Sequence, residues 1–232
     1  MNLEEIKQKM FEKLKASGWD RFFKSFIFSS EFDLILNQLW NQTKIDKRFT
    51  PPLKQVFTAF EECPHDKLKI VIITSDPYPQ LGMADGIAFS CGNTEKPQAS
   101  LRYILDEINR TVYNGHSVSQ DINLKRWSNQ GILLLNMALT TEVGKIGGHY
   151  DIWKPFTAYL LDTLNNYNPG LIYVYMGKKA EEWDILTNDN NHKFFIKHPA
   201  AAAYSGFKWD SMDVFNKIAK IVKDNSNQII TW

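Results

Sequence analysis

Asp76 and Tyr78 stand one proline apart, with a second proline behind them, in the run Ser75-Asp76-Pro77-Tyr78-Pro79 that follows the apolar β-branched stretch Ile70-Val71-Ile72-Ile73. Each proline fixes its own φ, removes a backbone donor and pushes the residue before it toward extended conformations, so the carboxylate and the phenol are held on a stiff turn. A strand's C-terminal end is where open α/β sheets gather their chemistry, and a held carboxylate suits a reaction centre. Alone, an Asp-Pro-x-Pro segment is more often an ordinary turn whose Asp accepts local backbone hydrogen bonds. Other strand ends change that balance. Gly82, Gly86 and Phe89 lie further along the same loop; Asn136 follows Leu133-Leu134-Leu135; Gly177, Lys178 and Lys179 follow Leu171 to Tyr175; and His198-Pro199 follows Lys193 to Ile196. Singly, Asn136 reads as a cap, His198 as a surface or core imidazole and Phe89 as core. Four successive strand ends bearing an Asp, an Asn, a His and two aromatics argue for one site.

The elements that must position these residues are legible in the hydrophobic periodicity. An amphipathic helix is expected over Met1 to Lys15, and a second behind Ser30 with Phe32, Ile35, Leu36, Leu39 and Trp40 inward. Pro51-Pro52 is expected to open a helix with Leu53, Val56, Phe57 and Phe60 inward. Ser100 caps Leu101, Ile104, Leu105 and Ile108, and a polar loop runs from about Asn114 to Asn123. Pro155 starts a helix with Phe156, Leu160, Leu161 and Leu164, Lys178 to Leu186 forms another, and Trp209 to Val222 closes the chain. Strands are predicted at Leu68 to Thr74, Ile132 to Leu135, Leu171 to Tyr175 and Lys193 to Ile196. Short apolar strands separated by helices predict an α/β fold: three layers, α/β/α, around a central, mainly parallel four-stranded sheet with right-handed crossovers. One domain over residues 1–232 is expected, its first 66 or so residues helical.

Composition bounds the partners. The 232 residues carry 27 Lys and Arg against 26 Asp and Glu, a formal charge of +1, so any nucleic-acid surface must be local. Two cysteines, Cys63 and Cys91, are too few for a disulfide framework and lie in no zinc-like spacing, which fits a reducing, intracellular setting. Neither a signal peptide nor a bilayer-spanning run is evident, so a soluble cytoplasmic protein with no membrane partner is expected.

The stretch from Thr74 to Ser90, TSDPYPQLGMADGIAFS, resembles the water-activating loop of family 1 uracil-DNA glycosylases, whose usual form is GQDPYHGxGxAxGLxFS. Gln98-Ala99-Ser100-Leu101 is similar to the family's PPSL segment, which compresses the DNA backbone. Gly131 to Asn136 resembles its GVLLLN strand, with Leu139-Thr140 for the LT that follows. Trp153 with Pro155-Phe156-Thr157, Gly177 with Ala180, His198-Pro199 for the HPSPLS loop, and Ile230-Thr231-Trp232 for a final IDW extend the likeness from about Val71 to the end.

That resemblance implies base excision repair: a uracil flipped out of DNA, at a cost of a few kcal/mol, into a pocket that reads its Watson–Crick edge, then hydrolysed from its sugar to leave an abasic site. Phe89 would stack on the ring. Asn136 would offer its amide donor and carbonyl acceptor to uracil O4 and N3–H, a pattern that cytosine reverses. Tyr78 would fill the space of a thymine C5 methyl, and Ser75 completes the uracil-binding set. Asp76 would stabilise the oxocarbenium-like sugar and orient a water toward C1′, while His198, neutral by the family pattern, would donate to uracil O2 as charge accumulates there. No metal or cofactor is implied. DNA-contacting residues would be Ala99, Ser100, Gly144, Lys145, His149, Pro199, Ala200, Ala202 and Tyr204, with Lys178, Lys197 and Lys208 as further phosphate candidates.

Departures are concentrated in three places. Thr74-Ser75 replaces Gly-Gln before the Asp, and Pro79 replaces a His, as in poxvirus-type members. In the loop His198 to Phe207 the family's phosphate-binding Ser becomes Ala200 and its minor-groove Leu wedge becomes Ala202, with Tyr204 as an alternative wedge. A methyl wedge predicts weaker base extrusion and a preference for single-stranded over double-stranded uracil-DNA. Two rivals follow: a catalytically weak or inactive glycosylase-like module that binds DNA or a replication partner, and a doubly wound nucleotide-binding enzyme, which lacks the glycine-rich loop it would need. The resemblance also leaves room for a proteinaceous inhibitor, and the expected state is a monomer.

Overall fold

The computed structural model describes residues 2–45, 47–116, 121–205 and 208–232. Its strands are β1 (Phe49–Thr50), β2 (Ile70–Thr74), β3 (Ile132–Asn136), β4 (Thr141–Glu142), β5 (Ile172–Met176) and β6 (His192–Ile196). Its helices are α1 (Leu3–Leu14), α2 (Asp20–Ile27), α3 (Ser30–Lys44), α4 (Thr58–Glu62), α5 (Ala99–Thr111), α6 (Lys125–Ser128), α7 (Tyr150–Tyr167), α8 (Lys178–Glu181), α9 (Ala200–Ser205) and α10 (Val214–Ser226).

Four strands form the central sheet in the order β3-β2-β5-β6, every neighbouring pair parallel. The sequences IVIIT, ILLLN and IYVYM of β2, β3 and β5 are buried throughout, as strands covered on both faces must be. β6, HKFFI, is the edge and is largely exposed or half-buried. Because all four run the same way, their C-terminal ends share one rim. Thr74 pairs with Asn136, and the ladder continues past β2: Met137 N–H donates to Thr74 O at 2.9 Å and Ala138 N–H to Ser75 O at 3.1 Å. The Asp76 turn is thereby stitched to the exit of β3.

Helices surround this sheet. Rings from α2 (Phe23, Phe26), α3 (Phe32), Phe57, α4 (Phe60) and α7 (Phe156) interlock edge to face and tilted, the arrangements favoured by aromatic quadrupoles. A second cluster joins α6, α10 and the C-terminus through Trp127, Phe215 and Trp232, and Tyr113 Oη donates to the Trp232 carbonyl at 2.9 Å.

Several element boundaries differ from expectation for identifiable reasons. Ser29, not Ser30, caps α3, its Oγ accepting from Phe32 N–H, and Trp40 lies outside the buried stripe at 60% exposure. Pro51-Pro52 opens only a 3₁₀ turn at Leu53–Gln55, and α4 starts three residues later. α5 is capped by Gln98, which leaves Ser100 inside its first turn. α7 begins at Tyr150, five residues before Pro155, anchored by Trp153 N–H on His149 O at 3.1 Å. The segment expected as one helix over Lys178 to Leu186 is α8 followed by a 3₁₀ turn at Asp184–Leu186. Trp209 precedes α10 rather than starting it: its indole donates to Lys197 O at 2.8 Å, and left-handed Met212 and Asp213 intervene. The α2 helix and the short β1–β4 antiparallel pair are additions to the predicted set.

Candidate active site

Asp76 sits at the tip of the turn after β2 with both carboxylate oxygens engaged. Gly147 N–H donates to Oδ1 at 3.0 Å and Tyr150 Oη–H to Oδ2 at 2.6 Å. The Ser75 hydroxyl adjoins the same carboxylate. Burial pushes the Asp76 carboxyl above the ordinary carboxylate range, against the opposing pull of those three hydrogen bonds. A partly desolvated carboxylate facing a cavity is suited to stabilising positive charge, because little water competes with it.

The cavity it faces measures about 440 Å³, within the usual range for small-ligand sites. Ser75, Asp76, Tyr78, Phe89, Asn136 and His198 all line it, so three of the four strand ends that the sequence singled out converge there, while Gly177, Lys178 and Lys179 after β5 lie outside the lining. Asn136 is buried, and its Oδ1 has no hydrogen-bond partner among the described residues. A buried orphan acceptor costs about 1–3 kcal/mol, and this one, in the cavity wall, is free to accept from a ligand there. Tyr78 Oη donates to Phe89 O at 3.1 Å, and burial raises its phenol pKa, so it stays neutral.

Phe89 is buried with φ of 64°, a left-handed conformation rare for a bulky residue and found where surrounding structure enforces it. Two contacts enforce it here. Ala88 N–H donates to Leu134 O at 3.1 Å, and Gly86, at φ of 95°, brings the loop so close to the 3₁₀ turn that a Cβ there would lie 1.9 Å from Gln55 O. His198 packs at 5.5 Å from the Phe89 ring. Its Nδ1 accepts from Ala200 N–H at 3.1 Å, which leaves the proton on Nε2, and burial lowers its pKa to about 4. The imidazole is therefore neutral at physiological pH and a donor from Nε2. Gly177 makes room for it: a Cβ there would be 3.0 Å from His198 Cβ.

The expected DNA-contacting residues divide. Ala99 and Ser100 form the first turn of α5 at the cavity's edge, where helix N–H groups lack intrahelical partners. Gly144 and Lys145 are exposed on the turn before α7, tied to the Asp76 loop by Gly144 N–H on Pro79 O at 2.9 Å. Ala200 lines the cavity, Pro199 is buried beside it, and Lys178, Lys197 and Lys208 are exposed.

His149 and Ala202 require correction. His149 is fully buried: Nε2 donates to Gln42 Oε1 at 2.6 Å, while Nδ1 accepts from Thr140 Oγ1 at 2.8 Å, itself the acceptor of the Trp153 indole N–H. It braces the turn from inside and has no face for DNA. Ala202 packs its methyl into the core, so it is no wedge. Tyr204 lies on α9, and its side chain falls outside the described residues, as do Gly206 and Phe207 of the same loop. The residue sequence reasoning missed is Tyr150; its only local signal was an aromatic directly after the glycine-rich turn.

The chain matches the Uracil DNA glycosylase superfamily over residues 60–223. A uracil-DNA glycosylase of Acinetobacter baumannii (strain SDF) is 31% identical, the alignment covering 100% of this chain and 98% of that one. Among solved structures, mimivirus uracil-DNA glycosylase superposes with a TM-score of 0.82 at 24% identity, covering 100% of this chain and 89% of the other. A variant of the mimivirus protein in complex with UGI gives the same TM-score and identity, covering 100% and 91%.

Proposed function

Since the chain belongs to the uracil DNA glycosylase superfamily, we propose that it binds uracil-containing DNA, flips the base into the 440 Å³ cavity and hydrolyses its N-glycosidic bond. The observation that carries the reading is the convergence on that one cavity of a desolvated carboxylate, a carboxamide whose oxygen has no partner among the described residues and a neutral imidazole.

The roles follow from the chemistry of each group. Asn136 Oδ1 accepts from uracil N3–H and its amide N–H donates to O4; cytosine, with these positions reversed, would leave both buried groups unpaired. Phe89 stacks on the base. Tyr78, held by its bond to the Phe89 carbonyl, occupies the space of a C5 methyl and so excludes thymine. As the bond to C1′ lengthens, positive charge grows on the sugar and negative charge on the base. Asp76 meets the first and orients the attacking water, and the Nε2–H of His198 meets the second at O2. A neutral donor suffices because uracil leaves as a stabilised anion. The first turn of α5 and the Gly144-Lys145 turn flank the cavity as phosphate contacts.

Two finer points belong to the same reading. The inward turn of Ala202 supports a preference for uracil in single strands, where less stacking is lost on extrusion. The mimivirus variant in complex with UGI supports a proteinaceous inhibitor among the partners of this chain.

The test is uracil release from a defined oligonucleotide by the purified protein in chelator. Wild type should leave an alkali-labile abasic site at uracil alone, and Tyr78→Ala should also release thymine at a low rate. Failure of the wild type to release uracil from either single- or double-stranded substrate would overturn the assignment.

A further inference from the structure

Asp76 draws no donor from the prolines on either side of Tyr78, since neither has an N–H. Beside the adjoining Ser75 hydroxyl, two donors come from a segment some seventy residues away: Gly147 N–H on Oδ1 at 3.0 Å and Tyr150 Oη–H on Oδ2 at 2.6 Å. These two donors are built as a unit. Gly147, at φ of 75°, lies so close to the tyrosine that a Cβ on it would meet the ring at 3.1 Å, and α7 starts at Tyr150 itself. Beneath them the fully buried His149 is locked to Gln42 and Thr140, and Thr141 Oγ1 donates to Lys145 O at 2.6 Å. The brace is polar and buried at Thr140, Thr141 and His149, and the main chain from there carries the two donors that meet the carboxylate. The Ser75 hydroxyl adjoins both Asp76 and Tyr150, closing the ring of donors.

We propose that Tyr150 is a positioning residue for the hydrolysis: its hydroxyl, with the Gly147 amide, fixes one rotamer of Asp76 so that the remaining lone pairs face C1′ and the attacking water. The proposal rests on the functional reading above and extends it to a group outside the cavity lining. A charged acceptor bonded at both of its oxygens has little rotational freedom, which lowers the entropy lost on reaching the reactive geometry. A tyrosine suits this place because its donor stays protonated; burial and the neighbouring carboxylate hold its pKa well above the ordinary phenol value.

Tyr150→Phe removes one oxygen and keeps the ring. kcat should fall about tenfold, as for loss of one hydrogen bond to a charged group, with KM for uracil-DNA within about twofold. The acid limb of the kcat profile should also move to higher pH, because the anion of Asp76 loses a donor. The other ionisable groups facing this pair are Tyr78 and His198 across the cavity and Glu182 beside the Tyr150 phenol. Tyr78 stays neutral and His198 titrates near 4, and all three are present in both proteins, so the displacement reports Asp76. In an Asp76→Asn background the second substitution should add little to the loss. A carbon-13 titration of the Asp76 carboxyl reads the same clamp without catalysis: its pKa should rise in Tyr150→Phe. An unchanged kcat, an unshifted acid limb or an unmoved carboxyl titration would each overturn the proposal. If the wild type releases no uracil, the functional reading fails while the carboxyl titration still decides the clamp.

Discussion

At the scale of single residues, the site holds groups in states that cost stability. Asp76 is the clearest, a carboxylate whose burial outweighs three hydrogen bonds and raises its pKa above the ordinary value of 3.8. A raised acid binds more protons folded than unfolded between those two values, so stability falls as pH climbs through that window and stays lower above it. Asp76→Asn should therefore melt at a higher temperature than wild type at pH 7, with the difference closing below about pH 4, while uracil release drops by orders of magnitude. Calorimetry across pH checks this; a lower melting temperature at pH 7 would show that the charge is net stabilising. Asp76, Tyr78, Asn136 and His198 were legible because each lies at or just past a strand's end, and Phe89 because it shares the loop after β2. Tyr150 was not, since it lies 74 positions from Asp76 and nothing local links them. His149 was expected at the DNA surface only because the resemblance implies a loop histidine there, and the tertiary fold instead supplies Gln42 and Thr140 to bury it.

At the scale of elements, the junction of β5 with α8 determines where the imidazole lies. Gly177, φ 92° and ψ 159°, is in a region essentially reserved for glycine, and its N–H donates to Ile196 O at 2.8 Å, two residues before His198. Gly177→Ala should lose about 1–3 kcal/mol of stability and displace the His198 ring, lowering kcat more than KM. Chemical denaturation alongside steady-state kinetics checks both, and unaltered kinetics would show that the ring has slack. The four sheet strands were legible because continuous apolar runs in a parallel sheet leave little ambiguity. Helix starts were less so: proline at 155 is a good first residue of a helix, yet the Trp153 amide and indole find partners upstream and carry α7 back to Tyr150. The β1–β4 pair, two residues long on each side, has no periodicity to read.

At the scale of the whole molecule, two histidines, one bonded to Gln42 and Thr140 and one in the cavity wall, are both held neutral by burial. His149 and His198 each have a pKa lowered from 6.5 to about 4. Unfolding lets each take up a proton in that interval, so stability rises with pH between about 4 and 6.5 and is lost on acidification, by up to about 1.4 kcal/mol per pH unit for each histidine. Asp76 acts in the opposite sense and offsets part of this. His198→Gln should flatten the slope by about one proton, readable as urea midpoints between pH 7 and 4.5. Equal slopes in variant and wild type would mean that the imidazole already takes up a proton in the native state.

The contact between Gly86 and the Gln55 carbonyl reaches beyond either residue. It sets the loop that carries Phe89, three residues on, against main chain from the N-terminal third, with a glycine at the point of closest approach. Heritable change in that early, loosely patterned region can thus propagate mechanically to the recognition step, and a graft joining the helices of one homologue to the sheet of another would inherit its fidelity from the fit of a single peptide plane.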